Sequence, residues 1–141
     1  MELFKKYSNR LQKTLNSQEW DNVYLLARDM REVWQSGKRL YICGNGGSAG
    51  NAIHLANDFN YGIAKKTGIG IRIIALPANS AVISCLANDI SYSEIFSQQL
   101  AVHGESDDIL IVLSGSGNSP NVVRALEKAK HLGMGTKSYT K

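Results

Sequence analysis

The chain has 141 residues, 43% of them apolar and 20% charged, a size and balance that fit one globular domain with a real core. Its formal charge of +4 comes largely from scattered lysines (Lys5, Lys6, Lys65, Lys66, Lys128, Lys130, Lys137, Lys141), with no basic run interleaved with aromatics, which argues against a nucleic-acid partner. No apolar run approaches the ~18 residues of a membrane span, and MELFKKYSNRLQ at the N-terminus lacks a signal-peptide core, so a cytoplasmic protein without a membrane partner is expected.

Residues 2–16 place Leu3, Phe4, Tyr7, Leu11 and Leu15 at helical spacing, and 18–36 repeat the pattern with Trp20, Val23, Tyr24, Ala27, Met30, Val33 and Trp34 before a stop at Gly37. RLYIC (39–43) is a short β-prone run, followed by the glycine loop GNGGS and a helix over 47–60. GIRIIAL (70–76) reads as a buried strand closed by Pro77, and 79–101 as a helix in two pieces broken near Asp89–Ser91. DILIVLS (108–114) is almost continuously apolar, as a parallel strand covered on both faces must be. GSGNSP follows, with Ser119 expected to cap a helix that opens on Pro120 and runs to about His131.

This strand–helix alternation predicts an α/β fold: a three-layer α-β-α arrangement on a parallel sheet of flavodoxin or Rossmann type. Two N-terminal helices (1–37) precede the α/β core (38–141). The second is expected on the sheet and the first against another subunit of a dimer or tetramer. TKSYTK reads as too polar and too short for a buried strand, so three strands are expected and a C-terminal part is expected to be missing. Cys43 and Cys85 fall in apolar patterns without metal-like spacing and read as buried free thiols.

Two loops of unusual composition leave the carboxyl ends of strands, where α/β sheets bind ligands: Gly44-Asn45-Gly46-Gly47-Ser48 and Ser114-Gly115-Ser116-Gly117-Asn118-Ser119. Neither ends in the Lys-Ser/Thr of a nucleoside-triphosphate loop. Gly44-x-Gly46-x-x-Ala49 fits a loose dinucleotide pattern, yet the second strand ends in IALPANS, without the acid that would bind a ribose. No nucleotide cofactor is expected. Three serines between glycines at a helix N-terminus instead make a site for a terminal monophosphate, as in a sugar phosphate.

CGNGGSAGNAIHLANDF, SCLANDISYSEIF and LSGSGNSPNVVRALEKAKHLGM, in that order, strongly resemble the sugar isomerase (SIS) domain family, and within it the phosphoheptose isomerase group. The resemblance implies binding of sedoheptulose 7-phosphate and its interconversion with D-glycero-D-manno-heptose 7-phosphate through an enediol, a step toward lipopolysaccharide. It gives the phosphate to Ser114, Gly115, Ser116 and Ser119, and the sugar to Asn45, Gly46, Gly47 and Ser48. His54 and Asp58 lie four apart on one helix face, joined by Asn51, with Ala52, Ile53, Ala56 and Phe59 expected opposite as the core stripe. By resemblance His54 and Asp58 are metal ligands, with zinc the implied ion, and His54, Asp58 and Asp89 are the proton-transfer groups. Asp58 stands where the family has Glu, and the reach is one methylene shorter. The family's second catalytic His and a metal-binding Gln lie on a C-terminal helix absent from this sequence. A non-catalytic phosphosugar-binding, regulatory or assembly module is the alternative. The same residues also fit a solvated helix face and, for Asp89, a turn-capping role.

Overall fold

A computed structural model of the chain describes residues 1–139. Helices α1 (Glu2–Asn16) and α2 (Asp21–Ser36) lead into strand β1 (Leu40–Gly44). Helix α3 (Gly47–Asn57) continues through a wide π-turn at Asp58–Gly62 into α4 (Ile63–Thr67) and then β2 (Ile73–Ala75). A 3-10 turn over Leu76–Ala78, helix α5 (Ser80–Asp89), a second such turn over Tyr92–Glu94 and helix α6 (Ser97–His103) lead to β3 (Ile109–Leu113). Helix α7 (Pro120–His131) and strand β4 (Gly135–Tyr139) complete the described chain.

The four strands are all parallel, in the order β2-β1-β3-β4. Because side chains alternate across a strand, β1 and β3 feed two cores. Leu40, Ile42, Ile109 and Ile111 meet Met30 and Val33 of α2 and Ala52 of α3 on one face. Tyr41, Cys43, Leu110 and Val112 meet Ile95, Phe96, Leu100, Val122, Ala125 and Ala129 on the other. Each fully buried aliphatic side chain here contributes about 1.5–3 kcal/mol of transfer free energy. The result is the three-layer α-β-α arrangement read from the sequence. At the end away from the loops, buried Asp108 accepts from the backbone N–H groups of Arg39 and Glu105 at 2.8 and 2.9 Å.

Several local expectations are corrected. TKSYTK does not fall outside the sheet: Gly135–Tyr139 pair with Ile109–Leu113, making a fourth strand, while Thr140 and Lys141 lie outside the described residues. Its polarity suits the outermost position among the described strands, where the apolar anchor is the preceding Met134. Cys85 is exposed and only Cys43 is buried, because Cys85 sits on the solvent side of α5. On α3 and the π-turn after it the core stripe is Ala52, Leu55, Ala56 and Phe59, and Ile53 is 43% exposed. At 100° per residue Ile53 falls on the rim of the stripe centred on those four. The helix also runs past residue 60, and the Ile63 N–H reaches back to the Asp58 carbonyl to close the π-turn. None of α1 is buried: Leu3, Phe4 and Tyr7 are all exposed, whereas α2 lies on the sheet as expected.

Candidate functional site

The register of the two central strands builds the site. Gly44 pairs with Leu113, so Asn45 and Ser114 leave the sheet from neighbouring strands at the same level. In the order β2-β1-β3-β4 the chain crosses from one side of β1 to the other between β2 and β3, so this is the point where connections diverge and a crevice opens. The approach is close. A Cβ on Gly44 would stand 2.6 Å from the Leu113 carbonyl oxygen and 2.7 Å from Ser48 Cβ. Only a glycine lets the start of α3 settle against the end of β3.

The first loop turns on Gly46, whose φ of +53° and ψ of −121° disfavour any side chain. The Asn45 carbonyl then accepts from Ser48 N–H at 3.0 Å and from Ala49 N–H at 3.3 Å, which starts α3. The second loop is shaped by its own serines. Ser114 Oγ accepts from Gly117 N–H at 3.0 Å, and Ser116 Oγ accepts from Asn118 N–H at 3.3 Å, with Gly117 at φ +71°. Both hydroxyls act there as acceptors, so their own O–H hydrogens are left for an anion. Ser119 occupies the N-cap of α7, and its carbonyl accepts from Val122 and Val123 N–H at 2.9 and 3.0 Å. Contrary to the capping expectation its hydroxyl makes no capping bond, because Pro120 opens the helix with its φ already set. An exposed serine-rich turn at the positive end of a 12-residue helix is electrostatically suited to a phosphate.

Two residues absent from the sequence reading join the loops. Asn121, the second residue of α7 and 1% exposed, exchanges two hydrogen bonds with Asn45. Asn45 Nδ2 donates to Asn121 Oδ1 at 3.0 Å, and Asn121 Nδ2 donates to Asn45 Oδ1 at 2.7 Å. Tyr92 Oη donates to the same Asn45 Oδ1 at 3.3 Å. Tyr92 is held there because Arg124 of α7 pairs with Glu94 at 3.5 Å, and Glu94 also takes the Ser97 hydroxyl. The signal available in the sequence was only the second asparagine in NSPN, and nothing local to it announces a partner 76 residues away.

The expected acid–base residues are less gathered. His54 Nε2 and Asp58 Oδ2 are 3.3 Å apart on α3 and the π-turn, with side chains 76% and 54% exposed. They face away from the stripe that packs on the sheet, about 9 Å (His54) and about 15 Å (Asp58) along the helix from Ser48 at 1.5 Å per residue. Asp89 ends α5. Asn88 Nδ2 donates to it at 2.7 Å and Cys85 Sγ at 3.4 Å, and these bonds hold its carboxyl below the ordinary carboxylate range. Its described bonds stay within its own helix, although Tyr92, three residues on, reaches the first loop. Zinc takes three or four protein donors. His54 and Asp58 provide two, and no group of three or more His, Cys, Asp or Glu side chains gathers among the described residues, so these residues do not form a zinc site by themselves.

Known proteins match the chain in family and in fold. The SIS domain family model matches residues 3–140. The phosphoheptose isomerase of Chlorobaculum parvum is 36% identical over 92% of this chain and 63% of its own length. That of Helicobacter pylori strain P12 is 39% identical over 97% of this chain and 67% of its own. The chain thus spans about two thirds of the length of these curated relatives. Among solved structures, the phosphoheptose isomerase of Francisella tularensis superposes with a TM-score of 0.90 at 27% identity, over 99% of this chain and 73% of that one. The Neisseria gonorrhoeae phosphoheptose isomerase gives 0.87 at 26% identity, over 99% and 72%.

Proposed function

The chain belongs to the SIS domain family, and from that premise we propose that it binds sedoheptulose 7-phosphate and supports its conversion to D-glycero-D-manno-heptose 7-phosphate. The observation that carries this reading is the pairing of the two loops. The Gly44–Leu113 register opens them side by side, and the Asn45–Asn121 amides tie them into one crevice. The phosphate goes to Ser114, Gly115, Ser116 and Ser119, where free O–H groups and the α7 terminus compensate its charge. The sugar lies over Asn45, Gly46, Gly47 and Ser48.

Aldose–ketose exchange moves a proton between C1 and C2 through an enediol, and needs a base, an acid and a donor to the carbonyl oxygen. In this reading Asp58 is the base, hydrogen-bonded to His54, and Asp89 is a polar or proton-transferring group delivered by the segment that also carries Tyr92. His54 and Asp58 would supply two donors to a zinc ion, which would act as a Lewis acid on the substrate's carbonyl oxygen. The apolar stripe of α1 (Leu3, Phe4, Tyr7, Leu11, Leu15), left exposed, supports assembly with further copies of the chain as a dimer or tetramer. Among the described residues no helix is long and apolar enough to cross a membrane, and the proposed place of work is the cytoplasm, in the route to lipopolysaccharide.

A second reading is a phosphosugar-binding module without turnover. It is favoured by the exposed, mutually paired His54 and Asp58, which touch neither loop among the described contacts. Calorimetry and NMR with sedoheptulose 7-phosphate on this chain separate the two. Binding with appearance of the aldose phosphate supports the isomerase, binding alone supports the module, and absence of binding overturns both.

A further inference from the structure

Each asparagine amide has two N–H donors and a carbonyl oxygen with two lone pairs. For Asn45 that inventory is nearly spent. Its Oδ1 accepts from Asn121 Nδ2 at 2.7 Å and from Tyr92 Oη at 3.3 Å, which fills both lone pairs. One of its two N–H groups goes to Asn121 Oδ1 at 3.0 Å. What remains is a single N–H, on a half-buried residue at the mouth of the crevice. The partner that sets this orientation is itself immobile. Asn121 is buried, lies two residues after Ser119 and sits in the first turn of the helix that carries the serine loop.

We propose that Asn121, assisted by Tyr92, is a positioning residue that turns Asn45 into a donor-only group aimed at an oxygen of the bound sugar, and that it thereby links the sugar loop to the phosphate loop. This deepens, and rests on, the sugar-phosphate reading above. A freely rotating Asn45 would offer the ligand its carbonyl as readily as its N–H. The clamp removes the carbonyl, so the loop selects a sugar oxygen acting as acceptor: a carbonyl oxygen, or a hydroxyl whose hydrogen points elsewhere. A donor fixed before binding also loses no rotamer freedom on contact. Inorganic phosphate, held by the serine loop alone, has no use for it.

The test compares the wild type with Asn121→Leu, which keeps the size and removes both amide bonds, and Tyr92→Phe, which removes one hydroxyl from an exposed ring and leaves the fold intact. Calorimetry is run with sedoheptulose 7-phosphate and with inorganic phosphate. Asn121→Leu should weaken the sugar phosphate about tenfold and Tyr92→Phe about threefold, with inorganic phosphate within about twofold in each. Parallel weakening of both ligands by Tyr92→Phe, or no change in either ligand for both variants, overturns the proposal. Side-chain amide exchange by NMR reads the clamp without any ligand. In the wild type the Asn45 amide proton bonded to Asn121 Oδ1 should be protected while the other exchanges at the solvent rate, and Asn121→Leu should abolish the protection. Solvent-rate exchange of both protons in the wild type overturns the clamp. A wild type that binds inorganic phosphate as tightly as the sugar phosphate, with the Asn45 proton protected, overturns the sugar-phosphate reading and the positioning role with it, while leaving the clamp as a structural bond.

Discussion

Replacing Gly44 by alanine tests the packing on which the crevice depends. The added methyl would sit 2.6 Å from the Leu113 carbonyl oxygen and 2.7 Å from Ser48 Cβ. The first of these is backbone of the neighbouring strand, so no side-chain rotation relieves it, and β1, β3 or the start of α3 must move. Overpacking of this kind costs about 1–3 kcal/mol. Stiffening the unfolded chain by Gly→Ala offsets about 0.4–1 kcal/mol of that. The net loss is then up to about 2.6 kcal/mol, and at about 2–4 °C per kcal/mol for a domain near this size the melting temperature should fall by up to about 10 °C. Gly47→Ala is the control, since a Cβ there meets nothing within 4 Å and the residue opens α3. It should melt at or above the wild-type temperature by differential scanning calorimetry. A Gly44→Ala protein as stable as Gly47→Ala would refute the claim that the two loops are held together by a contact only glycine allows.

Other consequences are open to direct measurement. Burial pushes the Cys43 thiol up to about 12, so a disulfide reagent at pH 8 should modify Cys85 alone in the folded protein and both thiols after denaturation. The hydrogen bond to Asp89, and then its charge, raise the Cys85 thiol, so Asp89→Asn should speed that labelling; an unchanged rate would count against the bond. Lys137 pairs with Asp29 at 2.7 Å and lowers the Asp29 carboxyl below its usual range, linking β4 to α2. A depressed carboxylate stabilises the fold above its unfolded pKa of about 3.9 and loses that contribution as pH falls through the folded value. Lys137→Ala should therefore cost up to about 1 kcal/mol at pH 6 in urea melts and progressively less below pH 4; an equal cost at both pH values would contradict the pairing. Tyr41, otherwise buried, donates its hydroxyl to the His103 carbonyl, and Tyr41→Phe should lower stability by about 1 kcal/mol.

The parts legible in the sequence were those written in local pattern. The apolar runs at 39–43 and 108–114 announced the two central strands, and the glycine and serine loops after them announced where a ligand would sit. Three things were hidden, each for its own reason. Strand Gly135–Tyr139 owes its place to backbone pairing with β3, which polar side chains neither reveal nor forbid. Ile53 misled because an apolar residue one step from a helical stripe falls on its rim. Asn121 and Tyr92 matter through contacts to Asn45 that span 76 and 47 residues, and no spacing rule reaches that far. The acid–base groups show the opposite case. His54 and Asp58 stood out at helical spacing and do meet, yet on an exposed face and apart from the loops.

The central claim is that the two loops form one sugar-phosphate site, and calorimetric titration of the wild type and Ser119→Asp with sedoheptulose 7-phosphate tests it most directly. Ser119 sits at the N-terminus of α7, where a carboxylate would both fill the place of the phosphate and repel it. The account predicts saturable binding to the wild type and its loss in Ser119→Asp, with the melting temperature preserved. Equal affinity in the two proteins would contradict it.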